Sequence, residues 1–304
     1  MQSLITRLFL RLLNSVSRLS WKNLYYASDI FRFFAFDVFQ YRKKVIHTNL
    51  KNSFPLSSEK TIHTIARKFY RNFADIIFET IKLRSVSKTD LLGRCELDPA
   101  LLDYYHEKKQ SVVVVAGHLG NWEMINLFAA ARISYQMVIV YHELANEVAE
   151  AWIKDIRTRF GTEMVPMRDA ISQALIPRSE PIIYILINDQ SPAPAKAYWT
   201  TFLNQDTGVF RGGELIARKL NCPVLYMGVQ RDEYSRGRYH IHLSLVTDNP
   251  RDVPMNGILE KQIKFLEKDI TDQPDNWLWS HRRWKHARPH RLLPSQQLQE
   301  LKSE

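Results

Sequence analysis

The chain of 304 residues has only two cysteines and ten glycines, and it has no long uninterrupted apolar run. Each shortage excludes something. Cys95 and Cys222 are far apart and form neither a CxxC nor a metal-ligand spacing, which fits plain thiols in a reducing compartment. A membrane-spanning helix needs about 20 predominantly apolar residues. The apolar first forty residues are broken by Arg7, Arg11, Arg18, Lys22, Asp29, Arg32 and Asp37. The same arginines fall where a cleavable signal peptide would need its apolar core. Repeats, low-complexity linkers and a GxSxG elbow are also missing, as is a papain-like cysteine context, so no covalent nucleophile of the protein is indicated.

What is present is an ordinary globular balance, 45% hydrophobic and 24% charged, with 42 Lys+Arg against 32 Asp+Glu for a net charge of +10. Such an excess favours an anionic partner: nucleic acid, a phospholipid surface or a phosphorylated substrate. The charge alone does not choose among them.

Residues 4–19, placed on a helix at about 100° per residue, put Arg7, Arg11 and Arg18 within about 40° of one another. Ile5, Leu8, Phe9, Leu12, Leu13, Val16 and Leu19 cover the other side. A basic stripe opposite an apolar stripe suits an interfacial membrane helix. A helix packed on the protein's own core has the same pattern; the terminal position and the wholly basic polar face favour the membrane.

Residues 1–92 read as helices. Ser57 or Ser58 can cap one in which Ile62, Ile65, Ala66, Phe69, Phe73, Ile76 and Ile77 recur at helical spacing, after a break at Phe54-Pro55. From residue 99 the texture alternates. The expected strands are SVVVVAG, SYQMVIVYH, PIIYILIND, CPVLYMGVQR and RYHIHLSLV, separated by helical segments such as NWEMINLFAAAR, NEVAEAWIKDIRTRFG and RGGELIARKL. This order predicts an α/β fold: a mixed, mostly parallel central sheet covered by helices, preceded by a helical N-terminal region.

Ligands of such sheets sit beyond the carboxyl ends of strands. His118 and Glu123 follow one such end, Asp189 and Gln190 another. Residues five apart on a helix are separated by about 140°, so His118 and Glu123 meet only if the first lies in a strand-to-helix turn. Gly117, Gly120 and Asn121, a good N-cap, supply that turn. A carboxylate beside an imidazole fixes its tautomer and leaves the other ring nitrogen free as a base. A His–Glu pair bracing a structural turn fits the spacing as well.

GHLGNWE, after its apolar strand, resembles the His-x4-Asp/Glu mark of the lipid A biosynthesis acyltransferases, which belong to the bacterial lysophospholipid acyltransferases. The likeness extends over nearly the whole chain, in family order: NLKNSFPLSSEKTIHTIARKFYRNF, WIKDIRTRFGTEMVP with its RxRxG, INDQSP with its DQ, TTFLNQDTGVFRGGELIARKLNCPV, and DQPDNWLWSHRRWKHARP. The resemblance implies a glycerolipid-acyltransferase-like fold; residues 1–45 are expected to be amphipathic, membrane-associating helices and residues 46–304 a single α/β acyltransferase domain. It implies transfer of a fatty acyl chain from acyl carrier protein, or from a coenzyme A thioester, to a hydroxyl of a lipid A precursor. The setting it implies is the cytoplasmic face of the inner membrane. No metal or cofactor is expected, the acyl thioester being a co-substrate.

Carried over by position, His118 is the base and Glu123 its partner, while Arg159 and Asp189 match the family's remaining polar positions. Arg159 is thereby a candidate oxyanion or phosphate contact. Asn121, Gln190 and Arg211 join them as candidate substrate-binding residues, Arg211 because it adjoins Gly212 and Gly213 at a helix start suited to phosphate. Two departures stand out: His142 where the family often has arginine, and LNQDTG after Phe202 where many members have an early glycine. The basic, tryptophan-rich run WLWSHRRWKHARPHR, ending at Arg291, suits single-stranded nucleic acid or a bilayer surface. With no nucleic-acid motif beside it and a basic amphipathic N-terminus, it reads as membrane-facing. Three alternatives stay open: an acyltransferase for another envelope lipid, a thioester or lipid hydrolase using the same pair, and a non-catalytic basic binding protein.

Overall fold

The structure, a computed structural model, describes residues 4–289. Arg291 and the end of the basic run lie outside the described residues. The chain opens with α1 (Leu4–Ser17) and α2 (Trp21–Arg32), which runs into a π-helical turn over Phe33–Val38; α3 (Lys43–Ser53) and α4 (Glu59–Lys82) form a helical hairpin, followed by α5 (Lys88–Leu92). Ser58 is the N-cap of α4, its hydroxyl accepting from the backbone N–H of Thr61. Alternation then begins: β1 (Cys95–Leu97), α6 (Ala100–Glu107), β2 (Val112–Ala116), α7 (Trp122–Arg132), β3 (Gln136–Tyr141), α8 (Glu147–Arg157), β4 (Glu163–Pro166) and α9 (Ala170–Ala174). After β5 (Ile182–Ile187) come a hairpin of β6 (Tyr198–Phe202) and β7 (Gln205–Val209), α10 (Gly212–Leu220), β8 (Val224–Arg231), β9 (Tyr239–Thr247) and α11 (Gly257–Asp272).

Seven strands make one sheet in the order β1-β9-β8-β2-β5-β3-β4, parallel throughout except for the β8–β9 pair. The mixed, mostly parallel sheet expected from the alternating pattern is therefore what forms. β2 lies at the centre and all five of its residues are buried. Each of its valines contributes about 1.5–3 kcal/mol by leaving water, so the four-valine run that reads as a core strand is the middle of the core. Its register with β5 sets Ala116 beside Ile187. The residues that follow the two strands, Gly117-His118 and Asn188-Asp189, therefore emerge side by side.

Four strands escape the sequence pattern. β1 has three residues, and β4 ends in a proline. β6 and β7 are mainly polar, and their tight turn is made by Leu203 and Asn204, both at positive φ, the backbone a type I′ hairpin requires.

The N-terminal helices are tied to the α/β body. Ser28 of α2 donates to Asp75 of α4 at 2.8 Å, and Tyr25 donates to Glu79 at 3.0 Å. Arg236 bridges Asp29 and Asp75. One side of this region remains uncovered: Leu8, Phe9 and Leu12 of α1 and Phe33, Phe34, Val38 and Phe39 around the π-helical turn are exposed, Phe39 by 76%. Among the described residues no helix is long and apolar enough to cross a membrane.

Candidate active site

The turn between β2 and α7 depends on two glycines. A Cβ on Gly117 would come within 2.6 Å of a Leu266 methyl and 3.3 Å of Asp189 Oδ2. Gly120 has φ +54°, and a Cβ there would meet Tyr239 at 2.9 Å. Asn121 then caps α7, its Oδ1 accepting the Met124 N–H at 3.0 Å while its Nδ2 donates to Glu79 Oε2 at 3.0 Å. The expected cap is real and costs Asn121 its other role. It is fully buried with both ends of the amide in use, so it shapes the turn and does not face a substrate.

The imidazole of His118 is held by a different carboxylate from the one its sequence spacing suggests. Nδ1 lies 2.5 Å from Asp189 Oδ1, and the His118 backbone N–H donates to Asp189 Oδ2 at 2.8 Å. The indole N–H of Trp277 donates to the same Oδ2 at 2.7 Å. Burial opposes ionisation of Asp189, but the attraction and hydrogen bonds of His118, with the Trp277 bond, outweigh it and pull the carboxyl down to about 2. An ionised Asp189 keeps the proton on Nδ1 and leaves Nε2 unprotonated, the basic end of the ring. The Gln190 amide stands 3.3 Å from Nε2, and Trp122 meets the ring edge-on at 4.9 Å.

Glu123 instead forms a two-point clamp with Arg157, Nε to Oε2 at 2.7 Å and Nη2 to Oε1 at 2.5 Å, and takes a third bond from the Trp122 indole at 3.2 Å. No hydrogen bond or ion pair joins it to His118 among the described residues. The direct His118–Glu123 pairing is thus corrected. The physical reason is the parallel register: β5 delivers Asp189 straight beside His118, whereas Glu123 points from the first turn of α7 toward α8. His118, Glu123, Arg157 and Gln190 nonetheless line one cavity.

That cavity, of about 440 Å³, continues between α7, β3 and α9 over an apolar wall that includes Ile125, Ala129, Ile139, Ile171 and Leu186. Polar groups gather at its His118 end. Asn126, one turn beyond Glu123, lines it with both amide atoms buried and without a protein partner. His142, where the family often has arginine, lines it too, its Nδ1 2.9 Å from the Glu143 carbonyl.

Arg159 is elsewhere. Its guanidinium binds the carbonyl oxygens of Leu83 and Val86, closing the end of α4, and it is not among the cavity's residues. Arg157, the first arginine of the same RxRxG segment, is the one that reaches the site. Arg211 is half-buried at the start of α10, between Phe210 and Gly212, which do line the cavity. Arg157, Asn126 and Trp277 were not picked out by spacing. Arg157 adjoins the buried Ile156 on α8, the one local hint that its side chain turns inward.

The C-terminal motif packs behind the pair. Leu119 bridges Trp277, and the Gly120 N–H donates to Asn276 at 3.0 Å. Asn49 of α3 donates to the carbonyls of Trp279 and His281. Burial pushes the His281 imidazole down to about 4 against the opposing pull of Asp189, and pushes buried Arg283 down to about 10.

An oriented imidazole, an unprotonated Nε2 and an adjoining apolar cavity together can deprotonate a hydroxyl beside a bound hydrocarbon chain. No curated protein matches the sequence. The family model described as bacterial lipid A biosynthesis acyltransferase matches residues 4–286, nearly the whole chain, so the protein belongs to that family and is an acyltransferase of lipid A biosynthesis.

Proposed function

We propose that this acyltransferase moves a fatty acyl chain from an acyl carrier protein thioester to a hydroxyl of a lipid A precursor, with His118 as general base and no acyl-enzyme. His118 Nε2 takes the proton of the acceptor hydroxyl while Nδ1–H stays bonded to Asp189. The acceptor oxygen bonds to the thioester carbonyl carbon, and the C–S bond then breaks to release the carrier thiolate, which takes up the proton from His118. Arg157, held by Glu123 at the cavity, supplies positive potential where the carbonyl oxygen gains charge. The apolar wall from Ile125 to Ile171 receives the acyl chain.

The observation that carries this reading is the 2.5 Å Asp189–His118 contact opening on an apolar cavity. The full chain, incubated with acyl carrier protein thioester and lipid A precursor, is expected to raise the precursor's mass by one acyl group, and His118→Ala to leave it unchanged. Equal masses with both proteins would overturn the proposal, and acyl release without lipid would identify a hydrolase.

The exposed Leu8, Phe9, Leu12, Phe33, Phe34 and Phe39 support peripheral docking on a membrane surface, for which the cytoplasmic face of the inner membrane is the setting proposed. Flotation with anionic vesicles tests this. The chain is expected to float, and Leu8→Glu with Leu12→Glu to remain at the bottom.

A further inference from the structure

Outside the cavity's lining, the α3–α4 hairpin carries His47, Glu59 and His63, whose ligating atoms all lie within 4.8 Å of one another. Glu59 and His63 are four residues apart on α4 and so share a face; His47 reaches them from α3. His47 Nε2 is 3.3 Å from Glu59 Oε2. Two ligands on a tetrahedral ion with bonds of about 2.0–2.1 Å stand about 3.3 Å apart, so this pair already has the required spacing. The His47 and His63 rings are 5.2 Å apart at 50°, and His63 is exposed, free to swing inward by rotation of its side chain. Lys51 Nζ binds the other carboxylate oxygen, Oε1, at 2.6 Å. It therefore orients Glu59 without occupying the ligating atom, as outer partners of metal sites do.

The geometry points to a binding site for a borderline divalent transition ion, Zn²⁺ above all, held by His47 Nε2, Glu59 Oε2 and one ring nitrogen of His63. Two imidazoles and one carboxylate favour such ions over Ca²⁺ or Mg²⁺, which take oxygen ligands. Three protein ligands leave a position for water. The ion would staple α3 to α4 across the Ser53–Glu59 connection, and α3 is the helix whose Asn49 holds the Trp279–His281 segment.

The test uses the full chain, dialysed against chelator and titrated with ZnCl₂ by calorimetry. One equivalent is expected on this site, with His47→Ala, Glu59→Gln and His63→Ala each weakening it at least tenfold. Co²⁺ provides a second readout that does not depend on stability: its visible absorption is expected in the wild type and lost in His63→Ala. All three side chains are on the surface or half-exposed, and circular dichroism checks that the variants fold. Equal Zn²⁺ affinity in wild type and His63→Ala, or unchanged Co²⁺ absorption, would overturn the assignment.

Discussion

The carboxylate of Asp189 touches His118 twice, at the imidazole Nδ1 (2.5 Å) and at the residue's own backbone N–H (2.8 Å). The two bonds lock both the ring and the turn that carries it. Asp189→Asn keeps the shape but replaces a pure acceptor with an amide that can donate to Nδ1, which favours the tautomer with Nε2 protonated and so removes the base. A fall in kcat/KM of about 10²–10⁴ is expected, with KM little changed. Steady-state rates check it; a variant within threefold of wild type would remove Asp189 from the mechanism.

Arg157 and Glu123 form a largely buried two-point ion pair, with side-chain exposures of 20% and 8%. Arg157→Met leaves Glu123 charged and unpaired, at a cost of about 3 kcal/mol or more. The double change Arg157→Met with Glu123→Leu should recover most of that stability while activity stays lost. Arg157→Lys cannot reproduce the fork and is expected to lower the rate as well. Chemical denaturation and turnover measured on the same samples separate the two effects.

Acid stability should fall in two stages. His281, at about 4 in the fold against an ordinary 6.5, stays neutral while the unfolded chain takes up its proton. Its contribution is therefore lost as pH falls from about 6.5 to about 4. Asp189, lowered from 3.8 to about 2, has the familiar carboxylate sign: its contribution is present above 3.8 and lost as pH falls toward 2. Denaturation midpoints against pH are expected to lose the first stage in His281→Asn and to keep it in Asp189→Asn.

Asn126 buries an amide with no protein partner at the polar end of the cavity. Buried unpaired groups cost about 1–3 kcal/mol, so Asn126→Leu should stabilise the fold while lowering acyl transfer. Thermal melts beside turnover read both, and a variant that is more stable and fully active would show that the amide serves no ligand.

Ala129 lies six residues beyond Glu123 on α7, about 9 Å along the helix axis, and lines the apolar part of the cavity. Ala129→Phe should fill that part and shift preference toward shorter acyl donors. Competition between donors of two chain lengths measures the shift; an unchanged ratio would place the acyl chain elsewhere.

Local signals were sufficient where the deciding physics is local. The four-valine run could only be a core strand, since burial pays each valine wherever the sheet forms. Asn121 after two glycines could only end a turn and start a helix, because capping and positive φ are properties of a few adjacent residues. Ser58, the α4 periodicity and the alternation that gives a parallel sheet were legible for the same reason. The short β1, the proline-ended β4 and the polar β6–β7 hairpin were not, because their pairing partners, rather than their own pattern, make them strands.

The sequence by itself determined that His118 and Asp189 would each follow the carboxyl end of an apolar strand. Only the tertiary structure decided that those strands are neighbours. Strand order is fixed by which faces bury together across the whole sheet, and a one-dimensional spacing carries no trace of it. That is why the carboxylate five residues away proved to be Arg157's partner, and the one seventy-one residues away holds the imidazole.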